Sequence, residues 1–133
     1  MKTSATPKRF LRAVQGCDQV IHAAGQFRFL GMRSLFWQTN VAGTHAMLAA
    51  ATAVSVQRFI HISTVVVIGG TPAASLIDET AVCHPLEPYQ RTKYEAEQLA
   101  LAYHRAQRSA RHCAASWRIL WPLGALRLQP PLF

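Results

Sequence analysis

Apolar positions along the chain fall into short runs divided by polar and helix-forming stretches. Thr6-Pro7 has the form of a helix cap followed by a first-turn proline. Phe10, Leu11 and Val14 then share one helical face, and Gly16 follows, which predicts a short helix closed by that glycine. The compact run Asp18-Gln-Val-Ile-His-Ala-Ala24, ended by Gly25, predicts a buried strand. From about Arg33 to Val54 the chain is rich in Ala and Leu and free of proline, which predicts a long helix. Gln57-Arg-Phe-Ile-His-Ile-Ser63, dense in β-branched and aromatic residues, predicts a second strand. A loop marked by Gly69, Gly70, Pro72, Pro85 and Pro88 comes next. Tyr89 to about Gln107, with Glu95, Glu97 and Gln98 among Ala and Leu, carries the strongest helical signal. Trp117 to Leu120 reads as a third strand.

Strands alternating with helices imply parallel strands joined by crossovers, a doubly wound α/β sheet. Such a sheet places its ligand beyond the carboxyl ends of its strands. Two places answer to that rule: Ala23-Ala24-Gly25, and Ser63-Thr64 with the loop after it.

Composition narrows the class. At 133 residues, half of them hydrophobic and 15% charged, the chain has the length and make-up of one ordinary domain rather than of a disordered or coiled-coil protein. The longest apolar run, Ala46 to Val56, is too short to cross a bilayer, and the first dozen residues lack the apolar core of a signal peptide. Cys17, Cys83 and Cys113 are odd in number and in no metal-type spacing, so the expectation is a reducing, cytoplasmic setting with neither disulfide nor metal. The net charge of +8 invites a nucleic-acid partner. Its distribution argues against one: residues 1–97 hold nine basic and six acidic groups, whereas the last 36 hold five arginines and no acid. The basicity belongs to one tail, and neither nucleic acid nor membrane is an expected partner. His22 and His61 fall within strands, where a hydrogen-bonded core histidine is the expectation. Phe27, Phe29, Phe36 and Trp37 read as core or loop packing, with a substrate-facing role as the alternative.

The candidate chemistry begins with Tyr89 and Lys93. Four residues apart on a helix, they project from one face. A phenol with a pKa near 10 is a poor base at neutral pH, and a nearby ammonium lowers that pKa by favouring the phenolate. Such a pair can exchange a proton with an alcohol or carbonyl near pH 7. A hydroxyl from Thr64 at a strand end could hydrogen-bond the same oxygen. Together the three suit hydride transfer between a carbinol carbon and a nicotinamide.

With these residues in place, the chain resembles the extended short-chain dehydrogenase/reductase family, also called the NAD-dependent epimerase/dehydratase family. Cys17-Asp-Gln-Val-Ile-His-Ala-Ala-Gly25 resembles the strand whose end packs against the cofactor. Thr39-Asn-Val-Ala-Gly-Thr44 is similar to the family's Asn-Val-x-Gly-Thr motif. Arg58 to Gly69 resembles the strand with the catalytic Ser or Thr, and Asp78-Glu79, Pro85, Pro88, Tyr89-Gln-Arg-Thr-Lys93 and Ala96-Glu97 complete the order. The match covers roughly residues 6 to 107. The resemblance implies a partial Rossmann-like doubly wound parallel sheet lacking its first βαβ unit. It implies Tyr89 as acid/base, Lys93 as its activator and a ribose ligand, and Thr64 as the catalytic hydroxyl. It further implies NAD or NADP as cofactor, met by Ala23, Ala24, Gly25, Thr39, Ser63, Tyr89 and Lys93, with Asn40 bracing the neighbouring backbone. The implied partner is a small-molecule substrate, and the full-length family allows a homodimer.

Departures from the family pattern refine this. Dehydratases of the family place Asp-Glu directly after the Thr, where this chain has Val65-Val66, so dehydration is not expected. Val67-Ile68-Gly69 stands where sugar-nucleotide epimerases usually have Val-Tyr-Gly, which leaves room for a reductase acting on a less polar substrate. The family's Gly-rich pyrophosphate turn is absent from these residues. Residues 1–107 therefore read as the middle of the domain with its catalytic motif, and 108–133 as an atypical basic tail. Displacing Leu120 to Arg127 by one nucleotide, with permissive codons, reads Gly-Pro-Trp-Gly-Arg-Tyr and restores the expected turn, so a frameshift between Arg108 and Trp117 is one expectation. The function read from all this is a fragment of an epimerase or reductase for a sugar nucleotide or other hydroxylated substrate. The alternative is an inactive truncated product, or a half-domain that needs a partner chain.

Overall fold

The computed structural model describes residues 8–27, 33–70, 81–109, 116–120 and 126–127. Helix α1 (Lys8–Val14) leads to strand β1 (Gln19–His22). A helical stretch follows in three parts: α2 (Arg33–Phe36), a π-helical segment (Trp37–Ala42) and α3 (Gly43–Ala53). Strand β2 (Arg58–Ile62) runs into a 3₁₀ turn (Val65–Ile68), and helix α4 (Pro88–Ser109) leads to β3 (Ser116–Leu120) and β4 (Leu126–Arg127). The strands lie in the order β1-β2-β3-β4. The pairs β1–β2 and β2–β3 are parallel, with Val20 opposite Phe59 and Phe59 opposite Trp117, while β3–β4 is antiparallel.

The alternating helices and strands expected from the apolar runs are present. Gly16 does close α1, adopting φ of +77° where a side chain would be strained. Three expectations are corrected. The long helix is not uniform: its π-helical segment takes an extra residue per turn, and Asn40 sits buried within it. The sheet is not wholly parallel, because β4 returns alongside β3 after too few residues for a crossover. Lastly, the strand expected to be buried is covered on one face only. Val14 of α1, Leu48, Ala50 and Ala51 of α3 and Ala100 of α4 close on Phe59, forming the core. Ile21, facing the other way, is 67% exposed. Period-two alternation puts alternate residues on opposite faces, so helices on one face leave the other open. Thr6-Pro7, Phe29, Asp78-Glu79 and Cys113 lie outside the described residues. Among the described residues no helix is long and apolar enough to cross a membrane.

The segment after β2 is pinned tightly. Gly69 adopts φ of +83°, and a Cβ there would run into the backbone carbonyl of His84, whose own N–H donates to Ile68 O at 3.0 Å. Gly69→Ala therefore has to distort both the turn and the 81–86 segment. It is expected to cost about 2 kcal/mol or more, read as a fall in the urea midpoint.

Candidate active site

The two strand ends singled out from the sequence lie side by side, because β1 and β2 are parallel and His22 pairs with His61 in register. Just past β1, Ala23, Ala24 and Gly25 are exposed. Their backbone is held by Asn40, 1% exposed, whose Oδ1 accepts from the Gln26 N–H at 2.7 Å and whose Nδ2 donates to the Gln26 carbonyl at 3.3 Å. Asn40 Nδ2 also donates to Thr92 Oγ1 at 3.0 Å, tying this loop to α4. Thr44 Oγ1 donates to the Asn40 carbonyl at 2.6 Å and lies 2.9 Å from His22 Nε2. Asn40→Ala strands the Gln26 N–H and cuts the tie to Thr92, whose hydroxyl keeps its bonds to the Pro88 and Tyr89 carbonyls. The expected loss is about 2 kcal/mol of unfolding free energy, measured by urea titration.

From β2 and α4 come the three residues of the expected triad. The Thr64 hydroxyl hydrogen-bonds the Tyr89 phenol. Both side chains are half-buried, whereas Lys93 is 5% exposed. Phe27 meets the Tyr89 ring edge-on at 5.1 Å between centroids, and Phe36 does so at 6.5 Å. Helix α4 is set in place by Gln90, whose Oε1 accepts from the Leu86 and Glu87 N–H groups at 2.7 and 3.1 Å and so occupies donors near the helix start.

The electrostatics differ from the expectation in one respect. Burial raises the Tyr89 pKa above its usual 10.0, and the bond from Thr64 only partly opposes it. The expected lowering by Lys93 is absent from this arrangement because the ammonium turns toward the strand, where Nζ donates to the Ile62 carbonyl at 2.6 Å. Burial lowers the Lys93 pKa, and Glu97 works in the opposite direction. Beneath the lysine lie two imidazoles with ring centroids 5.7 Å apart. Burial, aided by Lys93, depresses His22 to about 4 and His61 to about 3. The bonded core histidine expected at position 22 is seen, but neither His61 ring nitrogen has a hydrogen-bond partner among the described residues.

The space in front of Lys93 suits a ligand. A Cβ on Gly25 would stand 3.5 Å from Asn40 Oδ1 and 4.0 Å from Lys93 Nζ, so the missing side chain keeps an approach to the lysine open. Exposed Ala23, Ala24 and Thr39 present small groups around that approach, which fits the close passage of a dinucleotide. Ser63 differs: it is 2% exposed, and its hydroxyl donates to Glu97 Oε2 at 2.6 Å, away from that space. Sequence reasoning gave no site role to Thr92 or Glu97, and left Phe27 and Phe36 between packing and a substrate-facing role. For Glu97 a signal was present, since 89, 93 and 97 recur at one helical turn.

Comparison with known proteins bears on the family and the fold. The family model for NAD dependent epimerase/dehydratase proteins matches residues 2–116. A dTDP-glucose 4,6-dehydratase from Streptomyces niveus is 38% identical over 95 residues, covering 69% of this chain and 28% of the relative. A 4-hydroxy-2-methyl-3-oxo-4-farnesyl-3,4-dihydroquinoline-1-oxide ketoreductase from Stigmatella aurantiaca is 37% identical over 91 residues, covering 65% of this chain and 26% of the relative. Among solved structures, the dTDP-glucose 4,6-dehydratase DesIV of Streptomyces venezuelae with NAD bound superposes with a TM-score of 0.75 at 29% identity, over 86% of this chain and 34% of that one. The chain thus spans about a quarter to a third of the length of these relatives. With a family match over most of its length and the Rossmann-like parallel sheet to accompany it, the chain belongs to the NAD-dependent epimerase/dehydratase family.

Proposed function

We propose that these residues form the catalytic portion of a nicotinamide-dependent epimerase or reductase, in which Thr64, Tyr89 and Lys93 move a proton at the oxygen of a carbinol or carbonyl carbon. The observation that carries the reading is the Thr64–Tyr89 hydrogen bond at the carboxyl end of β2, with Lys93 buried one helical turn along. NAD or NADP, when bound, supplies the two-electron oxidant or reductant. Tyr89 gives its phenolic proton to the oxygen in reduction and takes it back in oxidation. Thr64 fixes the phenol, and Lys93 holds the helix to the strand end through the Ile62 carbonyl. Ala23, Ala24, Gly25 and Thr39 would hold the cofactor by close contact, and Lys93 would meet its ribose. Ser63 could reach it through backbone alone, its hydroxyl being engaged by Glu97.

The substrate is a sugar nucleotide or another hydroxylated small molecule, in keeping with the dehydratase and ketoreductase among the relatives. Dehydration is disfavoured. It needs a further acid and base, and the positions after Thr64 are Val65 and the 41%-exposed Val66, neither of which carries a proton to exchange. The test is titration of the purified chain with NADH and NADPH by fluorescence, followed by absorbance at 340 nm with dTDP-glucose and a panel of secondary alcohols. Saturable binding and turnover support the reading. Failure to bind either dinucleotide overturns it for these 133 residues.

A second reading is favoured by the open sheet face at Ile21 and by the third of a relative's length that the chain spans. In it, the chain is a half-domain completed by further polypeptide or a second copy, and is inactive alone. Exposed apolar faces and free sheet edges then promote association. Light scattering that finds a monodisperse, cooperatively unfolding monomer would remove this reading.

A further inference from the structure

Three consecutive residues at the end of β2 each hold one turn of α4. The Ile62 carbonyl accepts from Lys93, the Ser63 hydroxyl donates to Glu97, and the Thr64 hydroxyl bonds Tyr89. The helix partners therefore fall at 89, 93 and 97, stacked along one face. Two of them are the proton-transfer pair proposed above. The third, Glu97, is 0% exposed, and its Ser63 partner is 2% exposed. Burying a carboxylate is costly unless hydrogen bonds and a counter-charge offset the lost water. Ser63 provides the first at 2.6 Å, and Lys93 provides the second.

We propose that Glu97 is a positioning residue of this site: clamped by Ser63, it locks the register of α4 on the strand end and supplies the buried counter-charge that holds Lys93 as an ammonium. The inference rests on the reading of Tyr89 and Lys93 as the proton-transfer pair. Among the described residues, the titratable groups around Lys93 are Tyr89 and Glu97 on its own helix, His22 on β1 and His61 on β2. Neither imidazole can replace the carboxylate, because a neutral ring adds no negative charge and a protonated one repels the ammonium. Burial alone favours the neutral amine, and Glu97 is the group that opposes it. A neutral Lys93 would no longer offer a charged donor to the Ile62 carbonyl or to a cofactor's ribose, and a slipped helix would separate Tyr89 from Thr64.

The test is an NMR titration of Lys93 Cε and Nζ in the lysine-labelled full chain, which needs neither cofactor nor turnover. In Glu97→Gln the Lys93 midpoint is expected to fall by about one pH unit or more. In Ser63→Ala, which frees the carboxylate to swing away, it should fall by less, and Ser63→Thr should restore it. An unchanged midpoint in folded Glu97→Gln overturns the proposal. Should that variant fail to fold, Ser63→Ala decides: a lowered Lys93 midpoint supports the pairing, and an unchanged one overturns it. Either result leaves the hydride-transfer reading to be judged by its own dinucleotide titration.

Discussion

Tyr89→Phe is expected to lower turnover by a hundred- to ten-thousand-fold while leaving dinucleotide binding and thermal stability close to those of the wild type. The ring stays. Its edge contacts with Phe27 and Phe36 are apolar and survive the change, as does the α4 backbone that Gln90 sets in place. What leaves is one oxygen, half-buried and bonded to Thr64. Removing both its hydroxyl and its hydrogen bond to a partly exposed partner costs about 1 kcal/mol or less. Absorbance at 340 nm separates the two effects: binding titrates normally, and the rate is lost. The direction of the Tyr89 shift adds a pH signature. With its pKa raised, the phenol is protonated at neutral pH and ready to act as an acid, so reduction should vary little there. Oxidation needs the phenolate and should climb with pH toward the alkaline end. Equal kcat in wild type and variant would remove Tyr89 from the mechanism.

The second large effect is on stability in acid. His22 and His61 start from an ordinary value of 6.5 when unfolded and reach about 4 and about 3 in the fold. A depressed histidine binds fewer protons folded than unfolded, so between these limits protons favour the unfolded chain. Both rings are neutral in either state above pH 6.5, and stability there does not depend on them. It falls as pH drops through 6.5 and goes on falling to about 3. By pH 5 the two together should have removed about 4 kcal/mol, a large part of the stability of a typical domain. Urea melts from pH 8 to pH 4 should show the loss. In His61→Phe, which keeps a ring but has no proton to gain, the slope should be about halved. A flat profile would mean that the rings are not buried as described, and the physical cause assigned to their shifts would fall with it.

Much of this was legible from local chemistry. Tyr89 and Lys93 share a face because helical spacing demands it, Gly16 ends its helix because a positive φ suits glycine, and alternating strands and helices call for parallel strands with a site at their carboxyl ends. The Thr64–Tyr89 bond followed from the same logic, a hydroxyl at a strand end beside a helix start. What local pattern could not show were the partners of buried polar groups. Ser63 and Thr64 are adjacent hydroxyls of similar chemistry, yet one meets Glu97 and the other Tyr89, two turns apart on the same helix. Asn40 looked like a brace, and its bonds to Gln26 and Thr92 come from segments 14 and 52 positions away. Lys93 was expected to act on the phenol, whereas in this fold it donates to Ile62, since a buried ammonium takes the nearest carbonyl. Spacing and residue type select the fold class and nominate the chemistry, because periodicity and hydrogen-bonding capacity are local properties. Which donor meets which acceptor, and which charges lose their water, depends on how β2 and α4 pack, and long-range burial alone determines that.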